Sequence, residues 1–360
     1  MRLAVANAPR WLAIAASQPA SRNRPRVFYG HKRVPARTEP AYGGMIKMQS
    51  LAERLPNTTR DFNLVYLVSS AIPRDLAMLL RLARRRGAPL VWNQNGVAYP
   101  GWAGHRTAEI NRLRARGLYA ADHVLYQSAF CKLSADRFLG EPQARSEVLH
   151  NPVDTERFVP QTGSQRGITV LVGGNQRRPY RLESALRAFA LVVDELPDAR
   201  LLVAGSLAWP DRPDPAEGER FAFDLRARLE LDERVEFVGT YTQAEAPALL
   251  GRASLLLHTQ YNDACPTIVL EALASGLPVV YSASGGVPEL VGPDAGIGVR
   301  APLDWEQVHP PEPEPLAEGI LKVVEGLADY GEAARRRAVE RFDLRPWLAR
   351  HRTLFEELLR

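Results

Sequence analysis

Asp263 and Glu271 bracket the run Ala264-Cys265-Pro266-Thr267-Ile268, and the small residues of 272–275, an apolar stretch at 278–281 and the loop Ser284-Gly285-Gly286 follow. This order predicts a turn, a helix start, a short helix and a buried strand, with one carboxylate before the helix and one within it. Backbone N–H groups at a helix N-terminus attract phosphate. A carboxylate one or two turns in accepts hydrogen bonds from sugar hydroxyls. The pair therefore predicts a site for a polyhydroxylated, phosphorylated ligand.

Other residues fit the same chemistry. Gly43 and Gly44 precede an amphipathic stretch, so their backbone is placed either to approach a diphosphate or to make an ordinary turn. Lys47, one turn in, suits a phosphate or a solvated helix face. Gly173 and Gly174 open the loop Asn175-Gln176-Arg177-Arg178-Pro179-Tyr180-Arg181, where Arg178 or Arg181 can offer a guanidinium fork to phosphate or remain a solvated loop charge. Asn95, in Asn93-Gln94-Asn95-Gly96, suits a sugar or acceptor hydroxyl, or simply an Asn-Gly turn. Ser284, Gly285 and Gly286 offer a hydroxyl and backbone donors, or form a plain strand-to-helix turn. The chain has no His/Asp/Glu cluster with ligand spacing and no Asp-x-Asp triplet, so no metal site is expected.

These residues need a scaffold that presents loops at strand ends. Short apolar runs at 26–29, 64–69, 90–92, 123–126 and 146–149 alternate with helical patterns at 45–55, 74–86, 106–119 and 128–138. The alternation restarts with strands at 168–172, 200–204, 235–238, 255–258 and 278–281 and helices at 181–196, 221–231, 244–252 and 268–275. Such alternation predicts parallel sheets covered on both faces. The expected class is α/β, with two doubly wound, Rossmann-like domains joined near 159–167 and a ligand at the carboxyl ends of the strands, in the cleft between them. The expected divisions are a loose extension over 1–22, a first domain over 23–162, a second over 163–340 and a terminal helix over 341–360.

Composition narrows the class further. The 360 residues are 46% hydrophobic and 24% charged, which excludes disordered and fibrous chains. Two distant cysteines, Cys131 and Cys265, support neither a disulfide framework nor a zinc site. A reducing cytosol is the expected compartment. Residues 1–160 carry 24 basic and 11 acidic side chains, net +13, against 22 and 30, net −8, over 161–360. A basic first half is suited to an anionic acceptor or to peripheral contact with an anionic membrane at its inner face. Nucleic acid is not expected, because charge alone supports it and no reader motif is present. No apolar run reaches the ~20 residues that cross a bilayer.

Asp263 through Glu289 resembles the donor-site signature of retaining nucleotide-sugar glycosyltransferases of family 4: an acid, seven residues, a Glu, then Ala, a small residue, Gly, Pro, Val and Val. The Cys265-Pro266 variant resembles a bacterial subset of that family. His150-Asn151-Pro152-Val153-Asp154 resembles its interdomain segment, Gly43-Gly44 its first glycine loop, and 342–359 the C-terminal helix that crosses back to the first domain.

The resemblance implies the GT-B fold and a hexosyltransferase-like enzyme of polysaccharide biosynthesis. It would transfer sugar from a nucleoside diphosphate sugar to a glycan or lipid-linked acceptor, with retention of configuration and no metal cofactor. Glu271 would hold the ribose. Asp263, one methylene shorter than the usual Glu, would orient the transferred sugar unless it serves as a helix cap. Gly43, Gly44, Gly173, Gly174, Cys265, Pro266, Thr267 and Ile268 would line the donor, and Asn95 stands where much of the family has His. The family's usual phosphate-binding Arg and Lys fall on Asn175 and Tyr180, leaving Arg178 and Arg181 to neutralise the leaving group. That departure motivates the alternative of a catalytically altered sugar-nucleotide-binding protein.

Overall fold

The computed structural model describes residues 8–39, 41, 43–161, 167–209, 214 and 216–360. The chain forms two compact units, Met1–His150 with Arg345–Arg360, and Asn151–Leu344. Each is a parallel sheet with helices, as expected. The break at His150/Asn151 precedes the expected division at 162/163, which itself falls outside the described residues.

In the first unit the elements are α1 (Ala8–Ala16), β1 (Val27–Phe28), α2 (Gly44–Ala52), β2 (Leu64–Val68), α3 (Leu76–Arg86), β3 (Leu90–Gln94), α4 (Pro100–Ala103), α5 (Thr107–Leu118), β4 (His123–Tyr126), α6 (Ala129–Phe138) and β5 (Arg145–Val148). The five strands lie side by side in sequence order, all parallel. Every residue of β2, β3 and β4 is buried, the pattern of strands covered on both faces. Leu67 and Trp92 are register partners and share one face. Gly117 of α5 lies against the Trp92 ring so closely that a Cβ would overlap it, which explains a glycine inside that helix. Tyr66 points to the other face, which α14 (Leu344–Leu359) covers by setting the His351 and Phe355 rings edge-to-face with the Tyr66 ring, with centroids 5.5 and 5.9 Å away. Arg350 of α14 also grips Glu147 through two hydrogen bonds of 3.0 and 2.8 Å.

The N-terminal extension, expected to be loose, is helical over Ala8–Ala16. Trp11 and Ile14, three residues apart, are both buried. The Trp11 indole donates to Asp75 at 3.3 Å, and Arg86 donates to the carbonyls of Ile14 and Ser17 at the end of α1. The buried Trp11 and Ile14 and the capped carbonyls hold this helix in place.

The second unit contains β6 (Thr169–Val172), α7 (Pro179–Glu195), β7 (Arg200–Ala204), α8 (Glu217–Arg228), β8 (Val235–Gly239), α9 (Ala246–Leu250), β9 (Leu255–His258), α10 (Thr267–Ala274), β10 (Val279–Ala283), α11 (Val287–Val291), β11 (Gly296–Arg300), α12 (Pro313–Glu325) and α13 (Leu327–Arg341). Strand order is β11-β10-β9-β6-β7-β8, all parallel. From β6 the chain first builds β7 and β8 on one side, then β9 to β11 on the other. The crevice between the carboxyl ends of β6 and β9 is therefore the switch point at which such sheets bind ligands. Strand β11 and helices α11 to α13 lie beyond the elements expected from sequence.

Phe355 is fully buried against Tyr66. Phe355→Ala should cost about 3–5 kcal/mol, measured by urea unfolding. A change no larger than that of a surface substitution would contradict this packing of α14.

Candidate functional site

The loop after β9 meets the loop after β6 at the switch point. His258, the last residue of β9, is 2% exposed. Beyond it Thr259 donates its hydroxyl to the Arg181 carbonyl at 2.7 Å, and the Tyr261 backbone amide donates to the Tyr180 hydroxyl at 3.1 Å. Asn262 then takes a left-handed conformation, φ 51°, which Asn tolerates better than most residues. Its amide donates to the Ser284 hydroxyl at 2.8 Å, and the Gly286 amide donates to the Asp263 carbonyl at 2.8 Å. Gly285, φ 66°, lies so close to the 262–263 peptide that a Cβ would overlap the Asp263 carbonyl. Ser284, Gly285 and Gly286 thus hold the turn that carries Asp263.

The Asp263 carboxylate lies 3.3 Å from His258 Nε2 and accepts the Cys265 amide. Burial pushes its pKa up, but the His258 ring, the Arg181 charge and that amide outweigh burial and hold it below the usual carboxylate range. Burial pushes the His258 pKa down, against the pull of Asp263. The helix-cap alternative is not what Asp263 does: Pro266 occupies the N-cap of α10 and makes no side-chain cap. The first turn of α10, with Thr267 and Ile268, therefore has no side-chain acceptor at its N-cap.

Glu271 sits in the second turn of α10, 4% exposed. Gln243 Nε2 lies 3.4 Å from its Oε1, and Arg157, which donates to the Gln243 carbonyl, supplies a nearby positive charge. Burial dominates and pushes the carboxyl up to about 7. The Tyr241 hydroxyl bridges this region to the first loop: burial and the Glu271 charge raise its pKa, and it hydrogen-bonds the Gly174 backbone.

In the loop after β6, Gly173 packs on Ile268, where a Cβ would lie 2.9 Å from the Ile268 side chain. At Gly174, φ 84°, a Cβ would meet nothing within 4 Å, so the backbone there is open to approach. Asn175 accepts from the Ser206 amide at 3.0 Å and fixes the loop. Arg181 is 6% exposed. Its Nη1 donates to the Asn175 carbonyl at 2.6 Å, while its Nε has no partner among the described residues. Burial lowers its pKa, and Asp263 is among the groups that oppose this. Arg178 is half-buried at the N-cap of α7, its charge felt at Tyr180. Of the two arginines, Arg181 is the one buried beside Asp263. Cys265 is buried in the core, and its carbonyl accepts from Asn151 Nδ2 at 2.9 Å.

Gly43, Gly44, Lys47 and Asn95 form a separate cluster within the first unit. Gly43 has φ 50°, and the Gly44 amide donates to the Ser70 hydroxyl at 3.0 Å. A Cβ on Gly44 would lie 2.6 Å from Val68, so close packing requires glycine there. Lys47 is buried, with its ammonium donating to Asn93, Asn95 and Gln127 at 2.5, 2.7 and 3.1 Å; this replaces the solvated face weighed for it. Asn95 also receives its backbone position from the Ser69 hydroxyl and donates to Ser70 at 2.7 Å. The network sits at the carboxyl ends of β2, β3 and β4.

Sequence reasoning missed His258, Arg157, Tyr241 and Gln243. His258 carried a signal, a lone imidazole closing a buried strand five residues before Asp263. The other three have no spacing that ties them to Glu271. Among the described residues no group of three or more His, Cys, Asp or Glu side chains could hold a metal ion, and no helix is long and apolar enough to cross a membrane.

Two parallel-sheet α/β units define the GT-B class. Sucrose-phosphate synthase from Thermosynechococcus elongatus shares the fold with a TM-score of 0.69 and 19% identity, over 99% of this chain and 92% of that one. HepE from Anabaena, solved with UDP and glucose, does so at 0.66 and 20% identity, over 88% and 83%. Residues 154–337 match the family model for glycosyl transferases group 1, and residues 9–157 match that for glycosyltransferase family 4. The chain belongs to the glycosyl transferases group 1 family. N-acetyl-alpha-D-glucosaminyl L-malate synthase of Bacillus anthracis is 25% identical over 267 residues, 70% of this chain and 64% of that protein. D-inositol 3-phosphate glycosyltransferase of Salinispora tropica is 30% identical over 170 residues, 42% and 34%. The chain thus spans less than two thirds of these relatives' lengths.

The raised Glu271 pKa has a signed consequence. Between the ordinary carboxyl value of 4.5 and about 7 the folded state holds a proton that the unfolded chain releases, so this group's contribution to stability falls as pH rises through that window. Glu271→Gln should therefore stabilise the ligand-free protein at pH 8, by up to about 3 kcal/mol, with the gain shrinking toward pH 4.5 in paired urea melts. A pH-independent difference would contradict the buried, proton-binding Glu271. Gly285→Ala should cost about 1–3 kcal/mol in the same assay; a neutral effect would mean the turn is not held this closely.

Proposed function

We propose that the protein is a glycosyltransferase that moves a hexosyl group from a nucleoside diphosphate sugar to a glycan or lipid-linked acceptor, with retention of configuration and without a divalent ion. The observation that carries this reading is the pairing, at one strand-end crevice, of the buried Glu271 carboxylate with Arg181, a buried guanidinium whose Nε lacks a partner among the described residues. A diol can replace the long Gln243 contact on Glu271, and a phosphate oxygen can take the Arg181 Nε. Glu271 then holds the ribose, Asp263 the hydroxyls of the transferred sugar, and Arg181 with Arg178 the diphosphate. The Gly173-Gly174 backbone and the first-turn amides of α10, following Cys265-Pro266, add neutral donors. Gly43, Gly44 and Asn95 serve the sugar or acceptor from the first unit.

In this mechanism the bond from the anomeric carbon to the phosphate oxygen breaks as the acceptor oxygen attacks on the same face, and the acceptor proton passes to the departing phosphate. Positive side chains and helix N-termini stabilise the charge that a metal would otherwise take. The relatives' names, an N-acetyl-alpha-D-glucosaminyl L-malate synthase and a D-inositol 3-phosphate glycosyltransferase, and the UDP held by HepE support a nucleotide-sugar donor. The enzyme would work in the cytosol, in peripheral contact with an anionic membrane. Tyr180, where the family resemblance leads one to expect Lys, gives a second reading: a protein that binds sugar nucleotides without turning them over.

A thermal-shift panel of UDP, GDP and ADP sugars should give one that raises the melting temperature, and that donor should be transferred, or slowly hydrolysed, in the presence of EDTA. Glu271→Gln should weaken donor use about 10- to 100-fold, the range for hydrogen bonds to a charged group. Arg181→Lys, which keeps the charge and loses the fork, should lower turnover of a protein that still melts cooperatively. Binding without product or hydrolysis would support the second reading, and full turnover by the Glu271 variant would sink the first.

A further inference from the structure

We propose that the outer faces of α3 and α5 form a docking surface for an anionic lipid bilayer. The two helices lie in one layer. Leu79 of α3 and Leu67 of β2 both come within contact reach of the Gly30 position, Gly117 of α5 packs on Trp92, and Leu67 and Trp92 are register partners on one face of the sheet. The opposite, outward faces of both helices are therefore turned the same way, away from that sheet.

Arg74, just before α3, and then Met78, Arg81 and Arg85 recur three or four residues apart and are all exposed, so they form one stripe. On α5, Arg112, Leu113 and Arg116 form another, again exposed. Residues 71–120 contain nine arginines and two acids, Asp75 and Glu109. Asp75 is half-buried beneath the Trp11 indole, and Glu109 lies 3.7 Å from Arg106. Among the described residues, none of the five stripe arginines is in an ion pair. Unopposed guanidinium groups on a common surface attract anionic phosphate.

Exposed apolar side chains set the choice of occupant. Met78 is 46% exposed and Leu113 49%, each between arginines, and Trp102, in α4, is 41% exposed. Between phosphate-bound arginines these side chains can enter the acyl boundary of a bilayer, as in interfacial amphipathic helices. A polynucleotide would satisfy the charge and leave Met78 and Leu113 in water. This inference gives the membrane contact of the proposed function a defined surface, and its test needs no sugar donor, so its failure and that of the transferase reading are distinguishable.

The full chain is sedimented with vesicles of phosphatidylcholine alone or mixed with phosphatidylglycerol. Binding to the mixed vesicles should exceed binding to the neutral ones by about tenfold or more and weaken as salt is raised. Arg81→Glu with Arg85→Glu should reduce it at least about tenfold while the melting temperature stays unchanged. Met78→Gln with Leu113→Gln, which leaves the charge intact, should lower the fraction that resists salt. Equal binding to both vesicle types, wild-type binding by the double-Glu variant, or single-stranded polynucleotide bound more tightly than mixed vesicles and indifferent to the Gln pair would each overturn the proposal.

Discussion

The 262–263 peptide must be held in place before the residues around it can act together. Asn262 is left-handed, Asp263 points back toward His258, and the peptide between them is held from both sides, the Asn262 amide donating to the Ser284 hydroxyl and the Asp263 carbonyl accepting from the Gly286 amide. Gly285 is glycine because two backbones must pass where a side chain would stand. A loop that looks like an ordinary strand-to-helix turn thus acts as a mould. Its hydroxyl is engaged in holding the acid, which is a different role from meeting a ligand directly.

With the turn fixed, the site gathers groups that would be costly to bury alone. Arg181, His258 and Glu271 are each less than a tenth exposed. Arg181 and Asp263 offset each other in part through space, and His258 sits against the same carboxylate. Glu271 has the weakest local compensation, a 3.4 Å amide contact and a more distant Arg157, and its pKa rises most clearly for that reason. A buried carboxylate with so little support is poised for a partner that brings hydroxyl donors. The same logic separates Arg181 from Arg178: a guanidinium with an unpaired buried N–H gains more from an incoming anion than one still partly in water.

The parallel sheets were legible because β2 and the first three residues of β3 and of β9 are apolar runs between amphipathic helices, and period and length leave few other folds. The carboxylates of the site were legible too, since Asp263 and Glu271 are local to one turn and one helix. What could not be read was long-range. Tyr241, Gln243 and Arg157 reach Glu271 from separate loops, and no sequence spacing encodes that meeting. Lys47 was weighed as a phosphate ligand or a solvated charge, yet it is buried under three amide oxygens drawn from β3 and the loops after β3 and β4. The N-terminal segment, expected as a loose extension, shows the same limit: its contacts through Trp11 and Arg86 join residues about 65 to 70 apart along the chain.

Charge asymmetry takes on structure through the same contrast between buried and exposed groups. The first unit's cations fall into two populations. Lys47 is inside, where its hydrogen bonds tie α2 to the ends of β3 and β4 and leave Asn95 oriented by Ser69, Ser70 and the ammonium together. Arg81 and Arg85 of α3 and Arg112 and Arg116 of α5 are outside, in no ion pair among the described residues. A buried ammonium constrains geometry and is shielded from salt, whereas an exposed arginine row creates a field that salt screens within about 10 Å. The net charge of one half of a chain is therefore a sum over two functions, and only the exposed part can draw the protein to an anionic surface.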